Sequence, residues 1–130
     1  MRSLYLCAVA LLLTGCSHPA PTAAVSWKTV GDLAVSLTVS PPAHMGDNMF
    51  SVTLADSATQ LPIGNANMTA VPEMLSPQGT GSSSSGRSQG NGLYLIPIRL
   101  GIATRYDINL HIERSGKPAA DVSFPVDAVQ

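Results

Sequence analysis

Apolar and polar residues alternate with a period of two along most of the chain after residue 32. In the first such stretch Leu33, Val35, Leu37 and Val39 share one phase. Side chains of a β-strand point alternately to its two faces, so this pattern predicts a strand with one buried face. Five further stretches repeat the pattern, with their inward phases at 50–54, 66–70, 94–100, 106–112 and 122–126. No stretch after the N-terminal segment offers an amphipathic helix of useful length.

Turn-forming residues separate these stretches. They include Pro41-Pro42, Gly46-Asp47-Asn48, Gly64-Asn65 and Gly116-Lys117-Pro118. Short alternating strands at this spacing predict an all-β fold, a small antiparallel immunoglobulin-like β-sandwich of about six to seven strands.

Two features interrupt the regular strand pattern. Pro97 and Pro125 fall on the outward phases of their strands, and because proline cannot donate to a ladder they indicate sheet edges or bulges. The segment 76–92 is rich in glycine and serine, a composition typical of flexible coil. We therefore expect this segment to be a mobile loop that contributes little to folding.

The N-terminus has the layout of an export signal. Arg2 precedes a short apolar stretch, and small residues follow at Thr14-Gly15. The stretch is too short to span a bilayer, which needs about 20 apolar residues. Leu13-Thr14-Gly15-Cys16 resembles the bacterial lipobox, in which the cysteine thiol is joined to diacylglycerol and becomes the first residue. We therefore expect a cleaved signal peptide over 1–15, the lipidated Cys16 with a flexible tether over 16–30, and a folded domain over 31–130.

This resemblance implies a protein that is anchored to a membrane through acyl chains, palmitate among them, on Cys16 and that faces the periplasm. Ser17 follows the cysteine where an aspartate would favour the inner membrane, so the outer membrane is favoured. Cys7 leaves with the signal and Cys16 is consumed by lipid, so the mature chain has no thiol for a disulfide or a nucleophile.

Composition excludes several classes of function. The net charge is −1 and no basic run occurs, so the chain has no electrostatic footprint for nucleic acid. We find no nucleophile elbow, zinc-binding histidine motif or phosphate loop, and we expect no enzymatic activity. His111 lies on an outward phase beside Asn109 and Glu113, which indicates a solvated sheet face.

Sulfur supplies the main candidate chemistry. Met68 and Met74 lie on one predicted strand, and His44 adjoins Met45 in a loop. Thioether and imidazole ligands suit Cu(I), and a thioether binds without losing a proton. These four residues form a candidate metal site, although Met68 is also suited to filling the core.

The order of the motifs resembles the YtkA-like domains of exported bacterial proteins. The resemblance rests on the following residues over about 30–128: Gly46 to Val52, Asp56, Pro62 to Ala66, Met68, Pro72, Met74, Gly92-Leu93-Tyr94 and Tyr106-Asp107-Ile108. It implies an exported sandwich, in some members associated with copper handling or assembly of terminal oxidases. Val71 and Ile102 replace methionines that members often carry, and Tyr106 replaces a frequent tryptophan.

Two functions follow as hypotheses. The first is a membrane-tethered accessory module that binds Cu(I) through Met74, Met68, His44 and Met45. The second is a metal-free module that binds an envelope protein or has a structural role, for instance by strand addition at an exposed edge. Clustering of Met74, Met68 and His44 within ligand reach would distinguish the first from the second.

Overall fold

The computed structural model describes residues 26–40, 42–75 and 77–130, and this part of the chain is built from β-strands without helices. The ten strands are β1 (Ser26–Val30), β2 (Leu33–Val39), β3 (Gly46–Asp56), β4 (Asn67–Leu75), β5 (Gln78–Thr80), β6 (Ser84–Ser85), β7 (Arg87–Gly90), β8 (Leu93–Leu100), β9 (Arg105–Glu113) and β10 (Ala120–Asp127).

The strands form two antiparallel sheets of five strands each. Sheet 1 has the order β1-β2-β3-β8-β7, and sheet 2 has the order β10-β9-β4-β5, with β6 also paired to β4. Leu37 pairs with Val52 and Val52 with Tyr94, which aligns the inward phases of the central strands of sheet 1. Ala70 pairs with Leu110, and Leu110 with Val122, in sheet 2.

The inner faces of the two sheets form one apolar core. Phe50, Tyr94 and Phe124 are its largest fully buried side chains. The Tyr94 hydroxyl donates to the Ile63 carbonyl at 2.8 Å and accepts from the Ala66 amide at 3.1 Å, which fastens the connection before β4 to the core. The prediction of a small immunoglobulin-like β-sandwich is confirmed, as are the six strands predicted from the period of two.

The folded domain begins earlier than the expected boundary at residue 31. Residues 26–30, assigned above to the flexible tether, form strand β1 along β2, and that part of the assignment is wrong. Four of the five residues of β1 are exposed, so the segment lacks the alternation that reveals a half-buried strand. Lys28 anchors it instead, because its ammonium donates to the Ser123 carbonyl and lies 5.1 Å from the centroid of the Phe124 ring.

The glycine- and serine-rich segment is not the flexible coil expected above. Strands β5 and β6 pair with β4 in sheet 2, and β7 pairs with β8 in sheet 1. The segment therefore crosses from one sheet to the other along one side of the sandwich. The Gly81 amide donates to the Pro72 carbonyl at 2.7 Å, and the Gly86 amide to the Met68 carbonyl at 2.8 Å. Small residues allow this close approach, so the composition reflects tight packing here.

Both outward prolines lie where their strand is paired on one side only. Pro125 is in β10, the edge strand of sheet 2, as predicted. Pro97 is in β8, which is not an edge strand, since β7 pairs with its residues 93–95. Pro97 nevertheless lies beyond the end of β7. A missing N–H on an edge discourages pairing with another chain, and Lys28 also covers the β10 edge by binding the Ser123 carbonyl. Strand addition at β10 is therefore disfavoured.

Candidate functional site

The structure separates two of the predicted metal ligands. Met68 and Met74 lie on the same face of β4, six residues apart, which is about 20 Å at the rise of a β-strand. Met68 is 3 % exposed and belongs to the core, while Met74 is partly buried at the margin of the core. Two side chains this far apart cannot bind one ion, so the structure does not bring Met68 and Met74 together in one site.

His44 and Met45 lie in the connection between β2 and β3. The Asn48 side chain holds this loop, because it accepts from the His44 amide at 3.0 Å and donates to the His44 carbonyl at 2.7 Å. The Met45 amide donates to the Val129 carbonyl at 2.8 Å, and the Met45 side chain is exposed. Over the described residues, no group of three or more histidines, cysteines, aspartates or glutamates is arranged to hold a metal ion.

Met74 lines a groove of about 260 Å³ on the side of the sandwich where β7 has ended, which we call the Met74 groove. Its other lining residues come from β4, β8, β9 and the glycine- and serine-rich crossing: Pro72, Gly81, Ser82, Ser84, Arg99, Gly101 and Tyr106. Met74 pairs with Tyr106 in the register of sheet 2. The groove thus joins elements that are distant in sequence.

Local contacts hold the walls of the Met74 groove in place. The Tyr106 hydroxyl donates to the Ile102 carbonyl at 2.9 Å and accepts from the Ile102 amide at 3.1 Å, so it ties β9 to the preceding loop. A Cβ atom on Gly79 would lie 2.6 Å from Met74 Cε, and one on Gly81 would lie 2.6 Å from Pro72 Cγ. The Met74 methyl group can move aside, but the Pro72 ring is rigid, so glycine is required at position 81 for the crossing to lie this close to β4.

The chemistry of the Met74 groove does not suit a metal cation. It contains one thioether and no carboxylate or imidazole, and Arg99 contributes a positive charge. Arg99 forms an exposed ion pair with Asp47 at 3.1 Å, which leaves its guanidinium able to bind other anions. The groove has apolar walls, formed by Pro72, Met74 and Tyr106, and beside them the Arg99 cation and two serine hydroxyls. This lining suits a ligand that carries an apolar group next to a negatively charged or polar group.

A second depression, of about 460 Å³, lies on the outer face of sheet 2 around Val71 and His111. His111 Nδ1 is 2.6 Å from an oxygen of Asp121, and its Nε2 is 3.3 Å from one of Glu113. The hydrogen bonds to Asp121 and then to Glu113 raise the pKa of His111 above its usual value. The prediction that His111 lies on a solvated face is confirmed, but its pairing with Asp121 depends on the register of β9 and β10 and was not predicted.

Cys16, the predicted lipidation site, lies outside the described residues. Within the described ranges, no helix has the length and apolar character needed to cross a membrane. The sequence pointed to Met74 at the end of a strand beside the glycine- and serine-rich segment. It could not identify Arg99 and Tyr106 as neighbours of Met74, because their proximity arises from the packing of the two sheets.

Comparison with known proteins supports the fold and no closer relationship. No protein-family model matches the chain, and no curated protein matches it in sequence, so the resemblance to YtkA-like domains is not confirmed. A DUF4426 family protein of Pseudomonas aeruginosa has a similar structure, with a TM-score of 0.55 and 16 % identity over 78 % of this chain and 94 % of that one.

FetP of a uropathogenic Escherichia coli strain is also similar in structure. Its TM-score is 0.57, with 11 % identity over 83 % of this chain and 95 % of that one, and it was recombinantly expressed in the periplasm of an Escherichia coli strain. At these identities the likeness concerns the fold alone. The matches cover nearly the whole of the two solved chains, 94 % and 95 %, so the sandwich fold accounts for nearly all of each.

Proposed function

We propose that this protein is a lipid-anchored accessory module of the bacterial envelope that acts by binding a protein partner rather than by catalysis. The lipobox-like sequence ending at Cys16 supports the anchor, and Ser17 favours the outer membrane. FetP, which is similar in structure, was recombinantly expressed in the periplasm, so a fold of this kind is compatible with that compartment.

The Met74 groove is the observation that carries the proposal. Its apolar walls can accept one side chain of a partner, and Arg99 at its rim can bind a neighbouring carboxylate once the exposed pair with Asp47 opens. An exposed ion pair contributes at most about 1 kcal/mol, so exchange of Asp47 for a partner's carboxylate has a low cost. We therefore expect the partner to present an apolar residue beside an acidic one.

Of the two hypotheses drawn from the sequence, the geometry favours the metal-free one. Met68 lies in the core about 20 Å from Met74, and the residues around Met74 add no second soft ligand. Tight Cu(I) binding needs several soft ligands within coordination distance of one ion. The copper hypothesis would thus depend on Met74 alone or on the exposed pair His44 and Met45.

Site-specific photo-crosslinking in cells tests the groove. A photoreactive residue at Ser82, on the rim, should give one discrete adduct of the full-length protein with an envelope protein. Met74→Asp should abolish that adduct, since a carboxylate would occupy the apolar part of the groove beside Arg99. The control is the same probe at Ser115, an exposed residue away from the groove. Equal crosslinking from Ser82 and Ser115, or an adduct that survives Met74→Asp, would refute the groove as the binding site.

Competition with a Cu(I) chelator tests the alternative. The full-length protein should not take up one Cu(I) per chain from a chelator of moderate affinity, and Met74→Leu should not change this result. Transfer of one copper per chain that Met74→Leu prevents would reinstate the copper hypothesis. The Met68→Leu variant is the matched control, because it changes a thioether that is buried in the core.

A further inference from the structure

One end of the sandwich is apolar. It consists of the loop 42–45, the loop 101–104, the residues 128–130 and Leu75, and we call it the apolar end. Backbone hydrogen bonds join these segments: Met45 N donates to Val129 O at 2.8 Å, Val129 N to Ala43 O at 2.9 Å and Ala128 N to Thr104 O at 2.9 Å. Leu75 follows Met74, whose strand partner Tyr106 binds the backbone of Ile102.

Exposed large apolar side chains concentrate at this end. Seven such side chains are exposed over the described residues, and four of them belong to the apolar end: Met45 (51 %), Leu75 (49 %), Ile102 (40 %) and Val129 (53 %). Its three segments, 42–45, 101–104 and 128–130, contain no aspartate, glutamate, lysine or arginine. The charged residues that flank these three segments form two ion pairs, Asp47 with Arg99 and Arg105 with Asp127, and each pair is neutral as a unit. Glu73 lies two residues before Leu75, on the outer face of sheet 2.

The rest of the surface carries more charged side chains than the apolar end. At the opposite end Asp32 binds Arg114 at 2.6 Å and Lys117 at 3.7 Å, and Asp56 caps the turn after β3. The outer face of sheet 2 carries five of the eight acidic residues of the chain: Glu73, Asp107, Glu113, Asp121 and Asp127. An anionic lipid surface would repel this face of sheet 2. At the apolar end the same lipid surface would meet few charged side chains, most of them in the two neutral pairs.

The chain enters the domain at the apolar end. Ser26 pairs with Leu37, near the end of β2 that leads into the loop 42–45, and β1 then runs toward the turn at Gly31-Asp32. The ten residues from Cys16 to residue 25 can span at most about 33–36 Å when extended. A lipid on Cys16 therefore allows this end to meet the bilayer surface with the tether slack, whereas the opposite end, about 35 Å away along β3, could meet it only with the tether almost fully extended.

We propose that the apolar end rests on the bilayer that holds the lipid of Cys16, with Met45, Leu75, Ile102 and Val129 in the interfacial layer. This inference rests on the proposed lipid anchor. The short tether makes docking an intramolecular event at high effective concentration, so four apolar side chains suffice where they would bind a bilayer only weakly from solution. Docking would hold the Met74 groove close to the membrane surface and turn the Asp32 end toward the periplasm.

Quenching of tryptophan by bromine-labelled lipids tests this orientation. Trp27 is the only tryptophan, so Trp27→Phe provides a silent background. The full-length protein, processed by cells, is reconstituted into vesicles of phosphatidylethanolamine and phosphatidylglycerol with brominated acyl chains. One variant then carries Ile102→Trp and its control carries Ala58→Trp, just after β3 at the opposite end. The eleven residues of β3 span about 35 Å, well beyond the range of bromine quenching.

Docking predicts quenching at residue 102 several-fold greater than at residue 58, with a blue shift of emission only at residue 102. Introducing Met45→Glu and Val129→Glu into the Ile102→Trp protein should bring quenching down to the level at residue 58. Leu61→Glu, which changes an exposed leucine at the opposite end, is the matched control and should leave quenching intact. Urea melts of each variant would show that these exposed substitutions keep the fold.

The outcomes separate docking from anchoring. If the protein floats with the vesicles but residue 102 is quenched no more than residue 58, the apolar end does not touch the bilayer; docking is then refuted, the anchor stands, and the end is free for a protein partner. If the protein fails to float with the vesicles, the anchor itself is refuted, and docking with it. Quenching at residue 102 that survives both glutamates would also refute docking through these side chains.

Discussion

At the scale of single residues, the period-two alternation of the sequence determines which side chains fill the core. Phe50 is fully buried and Thr53, on the other phase of the same strand, is partly exposed. The residues predicted to point inward are buried or partly buried in all six predicted strands. This success has a simple cause, since in a sandwich one face of every central strand must leave water.

Phe50→Ala should therefore lower the free energy of unfolding by about 3–5 kcal/mol, the range for truncating a buried phenylalanine. Thr53→Ala should change it by only about 0.5 kcal/mol. Urea melts of the two variants measure the difference. Similar losses for both would show that the register of β3 is wrong.

His111 offers a prediction about pH. The pKa of His111 is raised above 6.5 in the folded protein by Asp121 and Glu113. Its contribution to stability is therefore complete below about pH 6.5 and is lost as the pH rises through the folded pKa. His111→Gln should destabilise the protein between about pH 5 and 6.5, where both carboxylates are still ionised, and should have little effect above pH 8. Thermal melts across this range measure it; an effect that is independent of pH would contradict the ion pairs.

At the scale of elements, the glycine- and serine-rich crossing is where expectation and structure differ most. Composition favours coil for such segments, because they bury little apolar area. Here β5, β6 and β7 are held by backbone pairing to strands that the sequence does place correctly. The glycines are visible in the sequence. That they allow close packing against β4 and β8 can be recognised only once the two sheets are assembled.

Gly81→Ala tests whether the crossing is packed. A Cβ atom at this position would lie 2.6 Å from the ring of Pro72, so we expect a loss of about 1–3 kcal/mol, the usual cost of overpacking. Gly64→Ala is the matched control, since its Cβ would meet no atom within 4 Å, and it should be neutral or stabilising by about 0.4–1 kcal/mol. Equal effects of the two variants on the free energy of unfolding would indicate that the segment is a flexible loop after all.

At the scale of the whole molecule, the fold and the cellular location are predicted from different parts of the chain. The alternation of apolar and polar residues predicts the β-sandwich domain, and the N-terminal residues predict its location in the cell envelope. The Met74 groove needed both sheets in place, so the sequence identified Met74 but combined it with Met68, which the strand geometry separates by about 20 Å. We propose that the anchor on Cys16 is what brings this groove near a membrane.

Labelling of cells with a fatty-acid analogue, followed by fractionation of the envelope, tests whether Cys16 carries the lipid anchor. The wild-type protein should carry the label in the membrane fraction, and so should Cys7→Ser, because Cys7 lies within the predicted signal. Cys16→Ser should lose both the label and the membrane association, since the lipid bond requires that sulfur. Undiminished labelling of Cys16→Ser, or an unlabelled wild-type protein, would contradict the central claim that a lipid on Cys16 tethers the domain.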